Sequence, residues 1–226
     1  MNWKLFTLGT LAASVAVWFL GVRFSSRTGP PEGPLILSGY LDDEEHLVTP
    51  EMLEQSQDAA DRPIPTDAFA EDADGRSQNL SALADADPLL IVFIKDGCPC
   101  STSAEPFFQR LFDAYGDRVR FLGVIDGDRE TARSWADRHG TPYPLLLDPD
   151  LELVRAFEVG NSAYVAVIAR GGRIETLWPG YSAGMLTELS EQLARLGGTK
   201  VVPIEVDDAP ELLYSGCPFL EEPPAS

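Results

Sequence analysis

From about residue 63 onward, apolar runs of strand length alternate with stretches of helical period. The predicted strands cover residues 89–94, 119–125, 143–147, 163–169 and 173–178. The predicted helices cover residues 106–115, 129–139, 151–157 and 185–196. Arg170-Gly171-Gly172 indicates a hairpin between the last two strands. This order predicts an α/β fold of three layers, with a mixed central sheet and helices on both faces.

The remaining parts of the chain flank this pattern. Residues 1–27 are interpreted as an N-terminal membrane anchor or signal segment, and residues 28–62 as an acidic linker containing proline and glycine. Residues 63–198 are expected to form the folded domain. Residues 199–226 form a C-terminal tail that contains Cys217.

The N-terminal apolar run predicts a membrane anchor. Residues 5–22 carry no charge, and they are flanked by Lys4 and Arg23. Their length just suffices for a membrane helix, and no credible cleavage site follows, which favours an uncleaved signal anchor over a cleaved signal peptide. We therefore expect the acidic domain to be tethered on the non-cytoplasmic side, periplasmic or extracellular.

The charge balance excludes one class of partner. The chain has 36 acidic and 17 basic residues, a formal net charge of -19. Such a surface repels phosphate backbones, so nucleic-acid binding is not expected. A general contribution to solubility is the simplest explanation of the charge.

Candidate chemistry lies in Cys98-Pro99-Cys100-Ser101, between the apolar run 89–94 and the next helix. A cysteine at a strand-to-helix junction feels the positive end of the helix dipole, which favours the reactive thiolate. The neighbouring Gly97 and Pro99 suggest an exposed turn around Cys98. For Cys100, a redox or ligand role and an inert buried role both stay open.

The third cysteine, Cys217, lies in the tail, where it is either unimportant or a resolving partner for Cys98 or Cys100. Apolar neighbours such as Leu213 and Phe219 predict that the tail packs on the domain. His46 and His139 are far from the cysteines in sequence, so no zinc or iron ligand spacing is visible. No metal and no cofactor are predicted.

Four passages together resemble the thioredoxin-fold redoxin family, which includes the TlpA/ResA-like thiol–disulfide oxidoreductases and the AhpC/TSA peroxiredoxin-like proteins. The passages are 67–83, with Asp67-Ala68-Phe69, Asp74-Gly75-Arg76 and Leu80-Ser81-Ala82-Leu83; 91–98, with Ile91-Val92-Phe93 and Cys98; 143–150; and 167–174. The resemblance implies a thioredoxin-like fold over residues 63–198 and places Cys98 at the attacking-cysteine position.

The chain also departs from the family pattern. Ser101 stands where the oxidoreductases have their second cysteine, and Gly97 replaces the aromatic residue before the first. The position of the family's cis-proline holds Ala163, which predicts a trans Ser162–Ala163 bond in the loop that presents backbone groups to a substrate. The peroxiredoxin pattern is missing because Ile91 and Lys95 occupy its proline and threonine positions, so peroxide reduction is poorly supported.

The function that this resemblance implies is thiol–disulfide exchange with a protein partner, in which Cys98 attacks and Cys100 or Cys217 resolves. Two alternatives stay open. One is a non-enzymatic thioredoxin-like binding or assembly module, favoured by Gly97, Ser101 and Ala163. The other is a Cu(I)-handling protein with Cys98 and Cys100 as soft thiolate ligands.

Overall fold

A computed structural model describes residues 46–66 and 68–220. In chain order the elements are α1 (Pro50–Asp58), β1 (Phe69–Glu71), β2 (Ser77–Asn79), α2 (Leu80–Ala86), β3 (Leu89–Ile94), α3 (Pro99–Tyr115), β4 (Arg120–Ile125), α4 (Arg129–His139), β5 (Leu145–Leu147), α5 (Glu152–Ala156), β6 (Val165–Ala169), β7 (Arg173–Trp178) and α6 (Ala183–Gly197). The predicted anchor, residues 5–22, lies outside the described residues.

Five strands form one mixed sheet in the order β5-β4-β3-β6-β7. The pairs β3–β4 and β4–β5 are parallel, whereas β3–β6 and β6–β7 are antiparallel. A separate antiparallel pair, β1–β2, precedes α2. The mixed sheet with helices on both faces confirms the predicted three-layer α/β architecture.

The central strand β3 explains why two cores form. All six of its residues are buried. Because side chains alternate across a strand, Leu90, Val92 and Ile94 pack with α3 and α6, whereas the other three pack with α2 and α5 on the opposite face. Because β3 has no polar side chain, helices cover both of its faces. This packing fixes the position of the strand's carboxyl end. The cysteine motif follows that end.

Helix α3 begins earlier than the sequence pattern predicted. It starts at Pro99, not at Pro106, so the cysteine motif itself forms its first turn. Pro99 fits the first turn because its missing N–H would have no helical partner there. Pro106 lies inside the helix, which continues through it to Tyr115. Cys98 is consequently the N-cap residue.

Part of the stretch interpreted as a linker has regular structure. Residues 50–58 form α1, which Thr49 caps by accepting a hydrogen bond from the Met52 amide. The helix packs near β7. Just before it, Leu47 pairs with Tyr214 of the C-terminal tail. Within residues 46–66 and 68–220, no helix is long and apolar enough to cross a membrane.

Candidate active site

Cys98 sits where β3 passes into α3. The connecting loop turns at Gly97, whose φ of 77° is a conformation that glycine adopts without strain. The loop is further held by the Asp96 amide, which donates to the Asp126 carboxylate at 2.8 Å. This places the Cys98 thiol at the amino end of a 17-residue helix, where the helix dipole stabilises a negative charge.

Two donors from distant parts of the chain reach the Cys98 sulfur. The Ser162 hydroxyl donates to Cys98 Sγ at 3.2 Å, and the backbone N–H of Cys217 donates to the same atom at 3.2 Å. Donors aimed at a sulfur favour its anion over the protonated thiol. The structure therefore brings the attacking-cysteine candidate together with the predicted loop residue Ser162 and with the tail cysteine.

The three thiols lie close enough to share hydrogen bonds, and this separates their acidities. Hydrogen bonds from Cys100 first, and then from Cys217 and Ser162, lower the pKa of Cys98 to about 3 although burial opposes this. The hydrogen bond to Cys98 is also the largest cause that raises the pKa of Cys100 far above its ordinary value. Burial first, and then the hydrogen bond to Cys98, raise the pKa of Cys217 to about 11. These pKa shifts favour a thiolate at Cys98 over one at Cys100 or Cys217.

The loop before β6 faces this thiolate. Ser162 and Ala163 are both buried, and the Ala163 amide donates to the Phe93 carbonyl at 2.8 Å, which ties the loop to β3. Ala163 has a φ of 60°, an uncommon conformation for a residue with a β-carbon, and no cis peptide bond occurs in residues 46–66 or 68–220. The Ser162–Ala163 bond is therefore trans, as the sequence predicted.

Residues 213–219, which we call the C-terminal strap, lie along this loop. The Ser162 amide donates to the Cys217 carbonyl at 3.0 Å, and the Gly216 amide donates to the Ser162 carbonyl at 2.8 Å. Tyr214 exchanges two backbone hydrogen bonds with Tyr181, at 2.9 and 3.0 Å. The strap therefore runs beside the site in an extended, strand-like pairing, which confirms that the tail packs on the domain.

The strap changes the environment expected for Cys98. The neighbours Gly97 and Pro99 suggested an exposed turn, but that expectation was wrong, because only 2% of Cys98 is exposed. Cys100 is also buried, whereas Cys217 is partly exposed. The cover over Cys98 comes from a segment 119 residues later in the chain, which local sequence patterns do not reveal.

Metal ligation by three or more side chains finds no geometric support in the described part of the chain. Residues 46–66 and 68–220 contain no group of three or more His, Cys, Asp or Glu side chains placed to hold a metal ion. The His46 carbonyl accepts a hydrogen bond from the Ser215 amide of the strap at 2.8 Å. His139 packs against Trp135 in a tilted arrangement, with ring centroids 4.1 Å apart. The Cu(I) alternative, with Cys98 and Cys100 as its two ligands, stays open.

Comparison with protein families gives a match to the AhpC/TSA family over residues 60–178, more than half of the chain. The chain belongs to the AhpC/TSA family. This confirms the predicted redoxin resemblance and its thioredoxin-like fold. No curated protein sequence matches this AhpC/TSA family member significantly.

Solved structures of similar fold come from both branches of the resemblance. A putative protein disulfide isomerase from Bacteroides thetaiotaomicron is 20% identical, with a TM-score of 0.56 over 62% of this chain and 90% of that one. A secreted Mycobacterium tuberculosis disulfide oxidoreductase homologous to E. coli DsbE is 21% identical, with a TM-score of 0.50 over 57% and 96%. The bacterioferritin comigratory protein of Xanthomonas campestris, studied for alkyl peroxide reduction, is 22% identical, with a TM-score of 0.51 over 61% and 99%.

Sequence reasoning missed several residues that build the site of this AhpC/TSA family member. Lys95 Nζ donates to the Pro218 carbonyl at 2.6 Å, which fastens the end of the strap to the active-site loop. Asn161 Nδ2 donates to the Gly216 carbonyl at 2.8 Å. Neither contact has a local sequence signal, because the two hydrogen bonds join residues 123 and 55 positions apart in the chain.

Proposed function

We propose that this AhpC/TSA family member is a membrane-tethered thiol–disulfide oxidoreductase that acts on protein disulfides through Cys98. The observation that carries the proposal is the convergence of Ser162 Oγ and the Cys217 amide on Cys98 Sγ, at the amino end of α3. These contacts favour a thiolate, the nucleophile in disulfide exchange.

The proposed exchange has two steps. The Cys98 thiolate attacks one sulfur of the partner's disulfide, an S–S bond forms between Cys98 and the partner, and the partner's other sulfur leaves as a thiolate and takes a proton from solvent. Cys217 then loses its proton to solvent and attacks the Cys98 sulfur, which releases the partner's remaining sulfur as a thiolate. The chain loses two electrons and the partner gains two; a dithiol reductant restores the chain, and the reverse sequence oxidises a partner dithiol.

Cys217 suits the resolving role better than Cys100 does. Its amide already contacts Cys98 Sγ, and it lies on a segment that is separate from α3. Cys100 is separated from Cys98 by the single residue Pro99, and the small ring of such a disulfide is strained. In this proposal, Cys100 remains protonated and donates a hydrogen bond to the Cys98 thiolate.

Turnover of a protein disulfide tests the catalytic assignment. We expect the reduced full chain to accelerate reduction of insulin by dithiothreitol, and Cys98→Ser to lose that activity by on the order of 10²-fold or more, because the nucleophile is gone. Cys100→Ala should retain activity within about tenfold, since it removes only one hydrogen-bond donor to the thiolate. If Cys98→Ser matches the parent, the assignment is wrong.

The tether is the second part of the proposal. Residues 5–22 would anchor the chain, with the acidic domain on the non-cytoplasmic side. After alkaline carbonate extraction of cell membranes, we expect the full chain to remain in the pellet and a chain lacking residues 1–27 to be soluble. A full chain found wholly in the soluble fraction would remove the anchor from the proposal.

A non-enzymatic binding or assembly module is the second candidate, and the strap favours it. Because only 2% of Cys98 is exposed, a large partner cannot reach its thiol while the strap is in place. The insulin assay distinguishes the two functions, because a binding module shows no turnover that depends on Cys98.

A further inference from the structure

The strap occupies the backbone donors and acceptors beside Cys98 that could pair with an extended chain. Its contacts form a ladder: the Phe219 amide donates to the Gly160 carbonyl at 2.9 Å, Ser162 pairs with Gly216 and Cys217, and Tyr214 pairs with Tyr181. Pairing of this kind depends on main-chain groups and is available to any extended peptide. The strap thus satisfies donors and acceptors that an incoming protein segment would otherwise use.

Two glycines show that the strap packs tightly against the domain. A β-carbon added at Gly180 would overlap the Tyr214 carbonyl, and one added at Gly216 would overlap the Ser162 hydroxyl. Neither glycine has a positive φ, so the close approach of two backbones, and not the conformation, requires glycine at these positions. By contrast, a β-carbon at Gly184 meets only Ser182 Oγ, at 4.0 Å.

We propose that the C-terminal strap covers the surface on which a partner segment binds and that it can be displaced from it. Cys98 becomes available to a protein disulfide only when the strap leaves Ser162 and Tyr181. The strap places Cys217 against Cys98 as a partner's cysteine would be placed. A partner segment and the strap therefore exclude each other. In each turnover the strap leaves before the mixed disulfide forms. It then returns, displaces the partner segment from the Ser162 backbone while the Cys98–partner disulfide still holds, and brings Cys217 to Cys98.

The partner that fits is an extended segment carrying a cysteine, with a small residue before it. The strap itself has this form, since Gly216 precedes Cys217 and approaches the Ser162 backbone closely. A bulky side chain at that position would meet Ser162. The partner's identity as a disulfide substrate rests on the proposed function, whereas control of access to Cys98 does not.

Gly180→Ala tests whether the strap controls access to Cys98, a role that we call the gate, without altering a cysteine. A methyl group at residue 180 should push Tyr214 away and raise the population in which the strap is released. We expect a maleimide attached to a 5-kDa polyethylene glycol to label Cys98 of the reduced full chain at least about tenfold faster than in the parent, with sites assigned by peptide mass mapping. Gly184→Ala, the matched control, should label at the parent rate.

A second variant, Asn161→Ala, keeps the test decisive if Gly180→Ala does not fold. Asn161→Ala removes only the side-chain hydrogen bond to the Gly216 carbonyl, and a few-fold increase in Cys98 labelling is expected. Circular dichroism and urea unfolding establish that each variant is folded; if Gly180→Ala is not, Asn161→Ala decides. Folded variants that label at the parent rate overturn the gate, as does equally fast labelling of Gly184→Ala. Faster labelling without insulin turnover would keep the gate and reject the proposed function.

Discussion

Replacing Cys217 by serine is expected to make the protein accumulate as a mixed disulfide with its substrate. Without the resolving thiol, the bond between Cys98 and the partner forms but is not released. After mixing with insulin, we expect the dithiothreitol-sensitive conjugate to rise by at least about tenfold over the parent, as seen by non-reducing electrophoresis and mass mapping.

The matched control is the other neighbouring thiol. Cys100→Ser keeps a hydroxyl that can donate to Cys98, so it should slow the exchange modestly and trap no conjugate. The double variant Cys98→Ser, Cys217→Ser should form no conjugate, since both exchanging thiols are gone and the remaining thiol, Cys100, is buried. A conjugate that accumulates in Cys100→Ser but not in Cys217→Ser would assign the resolving role to Cys100.

The second large effect concerns pH. The pKa of Cys98 is lowered to about 3 by hydrogen bonds from Cys100, Cys217 and Ser162, so the thiol stays ionised throughout the ordinary pH range. A free thiol of pKa about 8.5 loses on the order of 10³-fold of its thiolate between pH 8 and pH 5. We expect the absorbance of the Cys98 thiolate at 240 nm, taken as parent minus Cys98→Ser, to change by less than about twofold over that interval.

The unfolded chain provides the control for this titration. In concentrated urea the same difference should follow an ordinary thiol, because the three hydrogen-bond donors and the helix terminus are gone. In the folded state, the stability contributed by the thiolate is present above the unfolded pKa and is lost as pH falls toward the folded pKa of about 3. A folded-state midpoint near that of the unfolded chain would contradict the site described here.

The framework of the fold follows from local patterns. The run 89–94 is β3 to the residue, and the three- and four-residue spacing of leucines predicted most of α6. The start of α3 was missed because Pro106 suggested a helix beginning there. The helix is instead packed into the core on both sides of that proline, through Ala104 before it and Phe107 and Phe108 after it. Helix α1 was missed because its buried face is small.

The site could be predicted only in part. Cys98 at a helix amino terminus is a local feature, and the sequence identified it. The burial of Cys98 is not local, because it depends on backbone pairing between Ser162 and the strap, and amide-to-carbonyl pairing leaves no side-chain signature. Gly180 and Gly216 become informative only once the segments that approach them are known.

Disulfide mapping after a single turnover tests the central claim most directly. The reduced full chain is mixed with insulin, quenched with acid, alkylated and digested, and the linked peptides are identified by mass spectrometry. We expect one intramolecular disulfide, between Cys98 and Cys217, with Cys100 recovered as an alkylated thiol. A Cys98–Cys100 disulfide, or three free thiols beside unreduced insulin, would contradict it.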